Sequence, residues 1–165
     1  MFLFTLNVAL SFLVAMVLHE MGHWAAARAC KVPVMQAGLG WGPKIVSFRI
    51  LGVECQLRLL PIGAFTRMDM EVLQRRPLTQ QLLVLGAGIA INLFFSGVAW
   101  GTTFGFINLA LAVGNLLPLY QLDGWKSGMV ICRQIFGGRN PRVEWAFTIL
   151  GGLLVTALVV QSLFM

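Results

Sequence analysis

Residues 17–24, VLHEMGHW, place two histidines and a glutamate inside a long apolar stretch of the chain. His19 and His23 are four residues apart, so on an α-helix they lie on one face, one above the other. Two imidazoles in that relation can bind one metal ion, and zinc is the usual metal for nitrogen ligands. Glu20 is adjacent and can reach a metal-bound water, rather than the metal itself, as a general base.

The setting of these residues favours a functional site over a structural one. A single histidine in an apolar helix usually packs or hydrogen-bonds without further chemistry. This chain has two histidines, and both belong to this pattern and flank a glutamate. Ionisable residues within a membrane span are costly and mark functional sites by default. Because H-E-x-x-H is the spacing of zinc metalloproteases, we predict metal binding by His19 and His23 and a catalytic role for Glu20.

A catalytic zinc site uses three protein ligands and a water, so two histidines leave one ligand to be found. Among the six acidic residues, Asp123 alone lies in an interrupted apolar segment at a comparable distance from the basic side. Pro118 and Gly124 would break a helix there, and irregular backbone at membrane depth is tolerated only beside a cavity or within protein. We predict Asp123 as the third ligand. The alternative role is an N-cap for a helix that starts at Gly124.

Composition predicts an integral membrane protein. Of the 165 residues 58% are hydrophobic and 11% are charged, whereas a soluble domain carries about 25% charged residues. Mean hydropathy is +0.83. We predict one mainly α-helical membrane-embedded domain over residues 1–165, with about four transmembrane helices. The expected spans are 2–27, 78–100, a broken span at 103–136, and 143–164.

Basic residues predict the orientation of these spans. Lys and Arg cluster in 28–77 and 126–142, whereas the connection at 100–105 and both termini have none. By the positive-inside rule the two basic stretches face the cytoplasm, both termini face the other side, and the site lies toward the cytoplasmic face. The net charge of +6 therefore indicates membrane orientation and not a nucleic-acid partner. We expect a prokaryotic cell membrane.

Residues 39–68, LGWGPKIVSFRILGVECQLRLLPIGAFTRM, predict a small β region rather than a helix. Gly and Pro interrupt the stretch, and short runs between them alternate in part between apolar and polar residues, which is typical of hairpins. The glycine in ILGVE suits a turn. We expect about three short strands at the cytoplasmic membrane face, between the first and second spans.

Five stretches together resemble a known family. HEMGH, LGWGPKI, LRLLPIGAFTRM, AGIAIN and NLLPLYQLDG occur in the order found in site-2 proteases, the intramembrane zinc metalloproteases of the M50 class. The resemblance covers about residues 15–130. It implies one zinc ion held by His19, His23 and Asp123, with Glu20 as the catalytic base. LDGWK departs from the family's frequent LDGG, which leaves the geometry after Asp123 open.

The resemblance also implies residues that contact substrate. Asn92 in AGIAIN resembles the Asn of an A-G-P-x-x-N pattern that contacts substrate or the oxyanion, although Ile89 stands where Pro is common. Its alternative role is an interhelical hydrogen bond. Asn115, which opens NLLPLYQLDG, would support unwound backbone or substrate. A stretch similar to the family's P-x-G-x-x would receive substrate as an added strand, or form a plain turn: Pro61, Ile62, Gly63, Ala64 and Phe65.

These observations predict a zinc endopeptidase that hydrolyses a peptide bond in or near a transmembrane segment. The expected partners are a transmembrane protein substrate and the lipid bilayer. A regulatory membrane partner is also expected, because the 165 residues contain no PDZ or CBS domain. Two other classes stay open: a membrane metal-binding transporter, and a non-catalytic relative that binds membrane proteins. Few polar groups lie in the apolar segments away from the site, which disfavours transport, and the intact Glu20 disfavours a non-catalytic protein.

Overall fold

The chain is mainly helical, with one small sheet between its first two long helices. The structure, a computed structural model, describes the backbone of residues 1–163 and their side chains except those at 61, 62, 158, 159, 162 and 163. The predicted fold class, helices with a small β region after the first helix, is confirmed. The elements in chain order are α1 (Phe2–Ala29), β1 (Val34–Ile50), β2 (Val53–Met68), α2 (Met70–Gln74), α3 (Leu78–Val98), α4 (Thr103–Leu116), α5 (Asp123–Ile135) and α6 (Pro141–Leu163).

Among the described residues, two helices are long and apolar enough to cross a membrane, fewer than the four predicted. They are α1, with 28 residues, and α3, with 21. Helix α4 is apolar but has 14 residues, whereas a span needs about 20. Helix α6 has 23 residues, but the side chains at 158, 159, 162 and 163 lie outside the described residues, so α6 is not counted among these two. The two qualifying helices are compatible with insertion into a membrane.

The sheet is formed by two long, irregular strands that change pairing partner part-way, so that they act as several shorter strand segments. Strand β1 begins at Val34, before the predicted start at residue 39. The hairpin closes through Leu51 and Gly52, whose φ angles of 51° and 84° match the positive values that a two-residue type I′ turn requires. The turn predicted at ILGVE is therefore confirmed. Gln36 pairs with both Glu54 and Arg67, so the first half of β1 lies between the two halves of β2.

A buried apolar cluster joins the helices at the basic side of the long apolar segments. It connects the end of α1 with α2, α3 and α5, so that these elements keep a fixed relation to one another. Burying a side chain such as Leu or Val contributes roughly 1.5–3 kcal/mol relative to leaving it in water. Its members are Ala27, Cys30, Val32, Leu73, Val84, Leu85 and Val130.

The predicted break in the third apolar segment separates α4 from α5. Helix α4 ends at Leu116, and the backbone then runs extended at Leu117 and left-handed at Gln121, with φ of 77°. Gly124 allows the start of α5 to pack closely against the end of α4, because a Cβ at this position would overlap the carbonyl oxygen of Leu116. A side chain there would push the first turn of α5, and with it Asp123, away from α4.

Candidate metal centre

Helix α1 directs His19 and His23 into the protein, toward α3. Both residues are buried, with 7% and 5% of their surface exposed. Their Nε2 atoms lie 3.1 Å apart, as two residues one helical turn apart on the same face can. The spacing that suggested a shared ligand is therefore realised on one buried face of a single continuous helix.

Asp123 faces the two imidazoles from the first residue of α5. Its Oδ2 atom lies 2.9 Å from Nε2 of His19 and 2.9 Å from Nε2 of His23. The alternative role as an N-cap does not describe it, because Leu122 occupies the cap position and no side-chain cap hydrogen bond forms. Trp125, where the family has glycine, packs against Tyr120 and leaves Asp123 in place.

The second nitrogen of each imidazole has its own acceptor. Nδ1 of His23 donates to the carbonyl oxygen of Val84, 2.8 Å away, and Nδ1 of His19 lies against Oδ1 of Asn92. Amide and backbone carbonyl oxygens only accept hydrogen bonds, so each Nδ1 carries a hydrogen, and a neutral ring then presents the lone pair of Nε2. The remaining carboxylate oxygen, Oδ1 of Asp123, accepts a hydrogen bond from Nζ of Lys126 at 3.0 Å.

This arrangement fits a divalent cation. The three ligand atoms all lie within 4.8 Å of one another, and their lone pairs repel unless a positive charge lies between them. Their separations of 2.9–3.1 Å approach the edge of about 3.3 Å that a tetrahedron has when metal–ligand bonds are near 2.0 Å. His19, His23 and Asp123 therefore form a candidate metal site of a composition that zinc accepts.

Gly88 of α3 leaves space at the point where the ligand atoms converge. A Cβ at this position would lie 2.5 Å from Nε2 of His23 and 2.6 Å from Nε2 of His19, closer than real Cβ atoms approach other heavy atoms. Any other residue would have to displace the imidazoles or fill the gap between them. Gly88 thus keeps open the volume that an ion would need.

An open cleft of about 630 Å³ connects this site with the sheet. Glu20, His23 and Asp123 line it together with Ala64 and Phe65 of β2. Glu20 is half-buried, and its carbonyl oxygen accepts a hydrogen bond from Oγ1 of Thr66 at 3.2 Å, which ties β2 to α1 beside the site. The predicted base therefore shares one solvent-accessible cavity with two of the candidate ligands.

Asn92 lies at the site, where its side chain makes hydrogen bonds within the protein. It is fully buried, and its Nδ2 atom donates to Oδ1 of Asn108 at 2.8 Å and to the carbonyl oxygen of Ala15 at 3.3 Å. Both amide hydrogens are used, so none is free for an oxyanion. The alternative, an interhelical hydrogen bond, describes its position.

The residues predicted to contact substrate are dispersed. Nδ2 of Asn115 donates to the carbonyl oxygen of Leu111 in its own helix, and Asn115 does not line the cleft. Gly63 is buried in β2, and Ala64 and Phe65 line the cleft. The segment lies within β2, where the pairing is interrupted between Leu60 and Ala64 and Gly63 has a φ of 92°. The side chains of Pro61 and Ile62 lie outside the described residues.

Three residues of the site were not predicted. Lys126 follows Asp123 by three residues on a helix, a spacing at which side chains meet, so the sequence did contain a signal for this ion pair. Gly88 and Asn108 lie on other helices and have no periodic relation to the histidines. Their roles depend on how α3 and α4 pack against α1.

Comparison with known proteins agrees with this geometry. The model of Peptidase family M50 matches residues 7–104, more than half of the chain. The protein of Synechocystis sp. named "Putative zinc metalloprotease slr1821" is 29% identical over 132 residues, which is 71% of this chain and 35% of that protein. "Putative zinc metalloprotease CPE1693" of Clostridium perfringens is 30% identical over 119 residues, 64% of this chain and 36% of that protein.

A plant protein is also similar. "Membrane metalloprotease ARASP, chloroplastic" of Arabidopsis thaliana is 32% identical over 92 residues, 48% of this chain and 21% of that protein. The chain thus spans about a third or less of the length of these relatives. The matched residues 7–104 include His19, Glu20 and His23, and the resemblance to site-2 proteases is confirmed. The chain belongs to peptidase family M50.

Proposed function

We propose that this protein is a zinc endopeptidase that hydrolyses a peptide bond in or near a transmembrane segment of a membrane protein, with one zinc ion per chain. One observation carries the proposal: Nε2 of His19, Nε2 of His23 and Oδ2 of Asp123 converge within 4.8 Å, in a cleft that Glu20 also lines. This site lies on a helix long and apolar enough to cross a membrane.

The proposed chemistry assigns each polar group a separate task. A zinc ion bound by His19, His23 and Asp123 would polarise the scissile carbonyl and lower the pKa of a bound water to about 7. Glu20 would accept a proton from the attacking water as the oxygen of that water bonds to the carbonyl carbon. Glu20 then donates the same proton to the leaving amine as the C–N bond breaks, so that the products are a carboxylic acid and an amine.

Access of water to the site explains why ionisable residues occur in an apolar helix. The cleft is open, and polar residues including Gln121 and Lys126 line it next to Asp123. We propose that it opens toward the cytoplasm, because the basic residues of the chain cluster in the segments on that side of the apolar helices. Water supplied from there is the second reactant of hydrolysis.

The second half of β2 is the proposed docking edge for substrate. Ala64, Phe65 and Thr66 pair with β1 on one side, and the described residues contain no strand that pairs with them on the other. They also line the cleft that holds Glu20. A peptide bond within an intact helix is hydrogen-bonded and shielded by side chains, so cleavage requires local unwinding. An unpaired strand edge can take up the freed backbone groups as an added strand.

The test is the Glu20→Gln variant with zinc content measured beside proteolysis. Wild-type protein in lipid vesicles is mixed with single-span model substrates, and the products are identified by mass spectrometry. We expect the variant to bind one zinc ion per chain and to lose cleavage, because Gln cannot accept the proton. Glu71→Gln, in an exposed glutamate of α2, is the matched control and should cleave normally.

Other outcomes separate the remaining functions. Zinc flux into vesicles that survives Glu20→Gln would favour a metal transporter. Wild-type protein that binds zinc and a substrate but never cleaves it would favour a non-catalytic binding protein. Either result would contradict the proposed endopeptidase.

A further inference from the structure

A line of hydrogen bonds leads from helix α4 to the candidate metal site. Nδ2 of Asn108 donates to the carbonyl oxygen of Phe104 at 2.9 Å, and Oδ1 of Asn108 accepts from Nδ2 of Asn92 at 2.8 Å. Oδ1 of Asn92 in turn accepts from Nδ1 of His19. Three helices, α4, α3 and α1, each contribute one side chain to this line.

The direction of the line is determined at its outer end. The Phe104 carbonyl can only accept, so Asn108 must present its NH₂ group there and its oxygen to Asn92. Asn92 must then present NH₂ to Asn108, and the Ala15 carbonyl, also an acceptor only, requires the same orientation. What remains for His19 is the oxygen of Asn92. Nδ1 of His19 therefore holds the hydrogen, and the lone pair of Nε2 points to the metal site.

Burial makes this orientation strict. Asn92 and Asn108 both have 0% of their surface exposed, so bulk water cannot replace a lost partner. A buried amide without its hydrogen bonds costs about 1–3 kcal/mol. Reversing either amide would oppose two NH₂ groups or two oxygens and would incur that cost.

The two histidines differ in how their orientation is maintained. The acceptor for Nδ1 of His23 is the backbone carbonyl of Val84, which every residue at that position would provide. The acceptor for Nδ1 of His19 is a side chain, and its orientation depends on a second side chain. The orientation of His19 is therefore sensitive to substitution far from the ligands.

We propose that Asn108 is a positioning residue of the metal site: through Asn92 it holds His19 in the form that carries hydrogen on Nδ1 and offers Nε2 to the ion. The inference rests on the proposed zinc site. Hydrogen-bond partners of metal-ligating histidines fix ring orientation and tautomer, and their loss typically weakens metal binding or activity by about 10–100-fold. Asn108 does not contact His19 itself. It contacts the hydrogen-bond partner of His19, Asn92, and acts by keeping Asn92 oriented.

The test uses two substitutions with opposite expected results. Asn108→Leu removes the 2.8 Å acceptor and leaves only the longer bond to the Ala15 carbonyl to orient Asn92, so that Asn92 is held less firmly and the ligand His19 is disturbed. Asn108→Asp keeps a carbonyl oxygen toward Asn92, and burial favours its neutral acid form, whose hydroxyl can donate to the Phe104 carbonyl. We expect zinc affinity about tenfold or more weaker in the Leu variant and within about threefold of wild type in the Asp variant.

Zinc affinity is measured by competition with a chromophoric chelator, with the purified protein in lipid nanodiscs. The visible spectrum of the cobalt-substituted protein reports the ligand field directly and should change in Asn108→Leu alone. Ser96→Ala is the matched control. Ser96 is a buried polar residue on α3, one turn from Asn92 and outside the line of hydrogen bonds, so its loss should change neither readout.

Each outcome decides the inference. Equal zinc affinity in wild type and Asn108→Leu overturns it while the proposed function stands. Equal weakening in the Leu and Asp variants also overturns it, since that pattern would follow a general loss of packing, which thermal unfolding of both variants would reveal. Absence of zinc binding in the wild type would instead overturn the proposed function, and the inference with it.

Discussion

Nε2 of His23 lies 2.9 Å from Oδ2 of Asp123, although 100 residues separate them in the chain. Between them the chain passes through the sheet and three further helices. The meeting of these two atoms joins α1 to α5, and it places a carboxylate where the H-E-x-x-H pattern lacks a third ligand.

Substituting Gly88→Ala should abolish zinc binding. The new Cβ would lie 2.5 Å from Nε2 of His23, within the space where the ligand atoms converge. Zinc content by mass spectrometry is the measurement. Gly86→Ala is the control, since a Cβ two residues earlier on the same helix has no neighbour within 4 Å. Zinc retained in full by Gly88→Ala would mean that the ion binds elsewhere.

Removing the charge at Lys126 should weaken zinc binding without unfolding the protein. Nζ of Lys126 lies 3.0 Å from Oδ1 of Asp123 and leaves Oδ2 as the oxygen that faces the histidines. For Lys126→Met we expect zinc affinity about 10–100-fold weaker. The comparison is Lys44→Met, which breaks an exposed ion pair with Glu54 on the sheet. Such pairs contribute about 1 kcal/mol or less, so zinc affinity there should be unchanged.

Removing zinc should lower the thermal stability of the wild-type protein. The ion would link α1 with α5, and a ligand at 100 times its dissociation constant stabilises the folded state by about 2.7 kcal/mol. Thermal unfolding in nanodiscs is recorded before and after a chelator and after zinc is restored. In Asp123→Asn, where a ligand is lost, the chelator should have little effect. An unfolding temperature of the wild type that the chelator leaves unchanged would contradict a bound ion.

Substituting Thr66→Val should reduce proteolysis and leave zinc content unchanged. Oγ1 of Thr66 donates to the carbonyl oxygen of Glu20 and so holds β2 beside the proposed base. Loss of one such hydrogen bond costs about 1 kcal/mol, which corresponds to roughly fivefold in kcat/KM. Thr148→Val, which removes a hydroxyl bonded within its own helix α6, is the comparison. A Thr66→Val enzyme that cleaves as fast as wild type would show that the hydrogen bond from Thr66 to Glu20 does not contribute to cleavage.

The features that could be predicted from the sequence depend on residues close together in the chain. His19 and His23 share a helix face because one turn holds 3.6 residues, and this relation holds wherever the helix lies. The hairpin turn at Leu51 and Gly52 and the break before Asp123 follow from residues at the positions concerned. Among the described residues two helices, rather than four, are long and apolar enough to span a membrane. In the third segment the reason is the break, because hydropathy measures the apolar content of a segment, whereas the break sets the length of helix that forms.

Relations between elements required the tertiary structure. The sequence by itself determined that α1 carries two imidazoles on one face and that Asp123 stands at a helix break. Only packing decided that Gly88 leaves a space between the imidazoles, that Lys126 holds one carboxylate oxygen, and that Asn108 reaches His19 through Asn92. The reason is physical: distances within a helix follow from its repeat, whereas distances between helices depend on the sum of many weak contacts along their whole length.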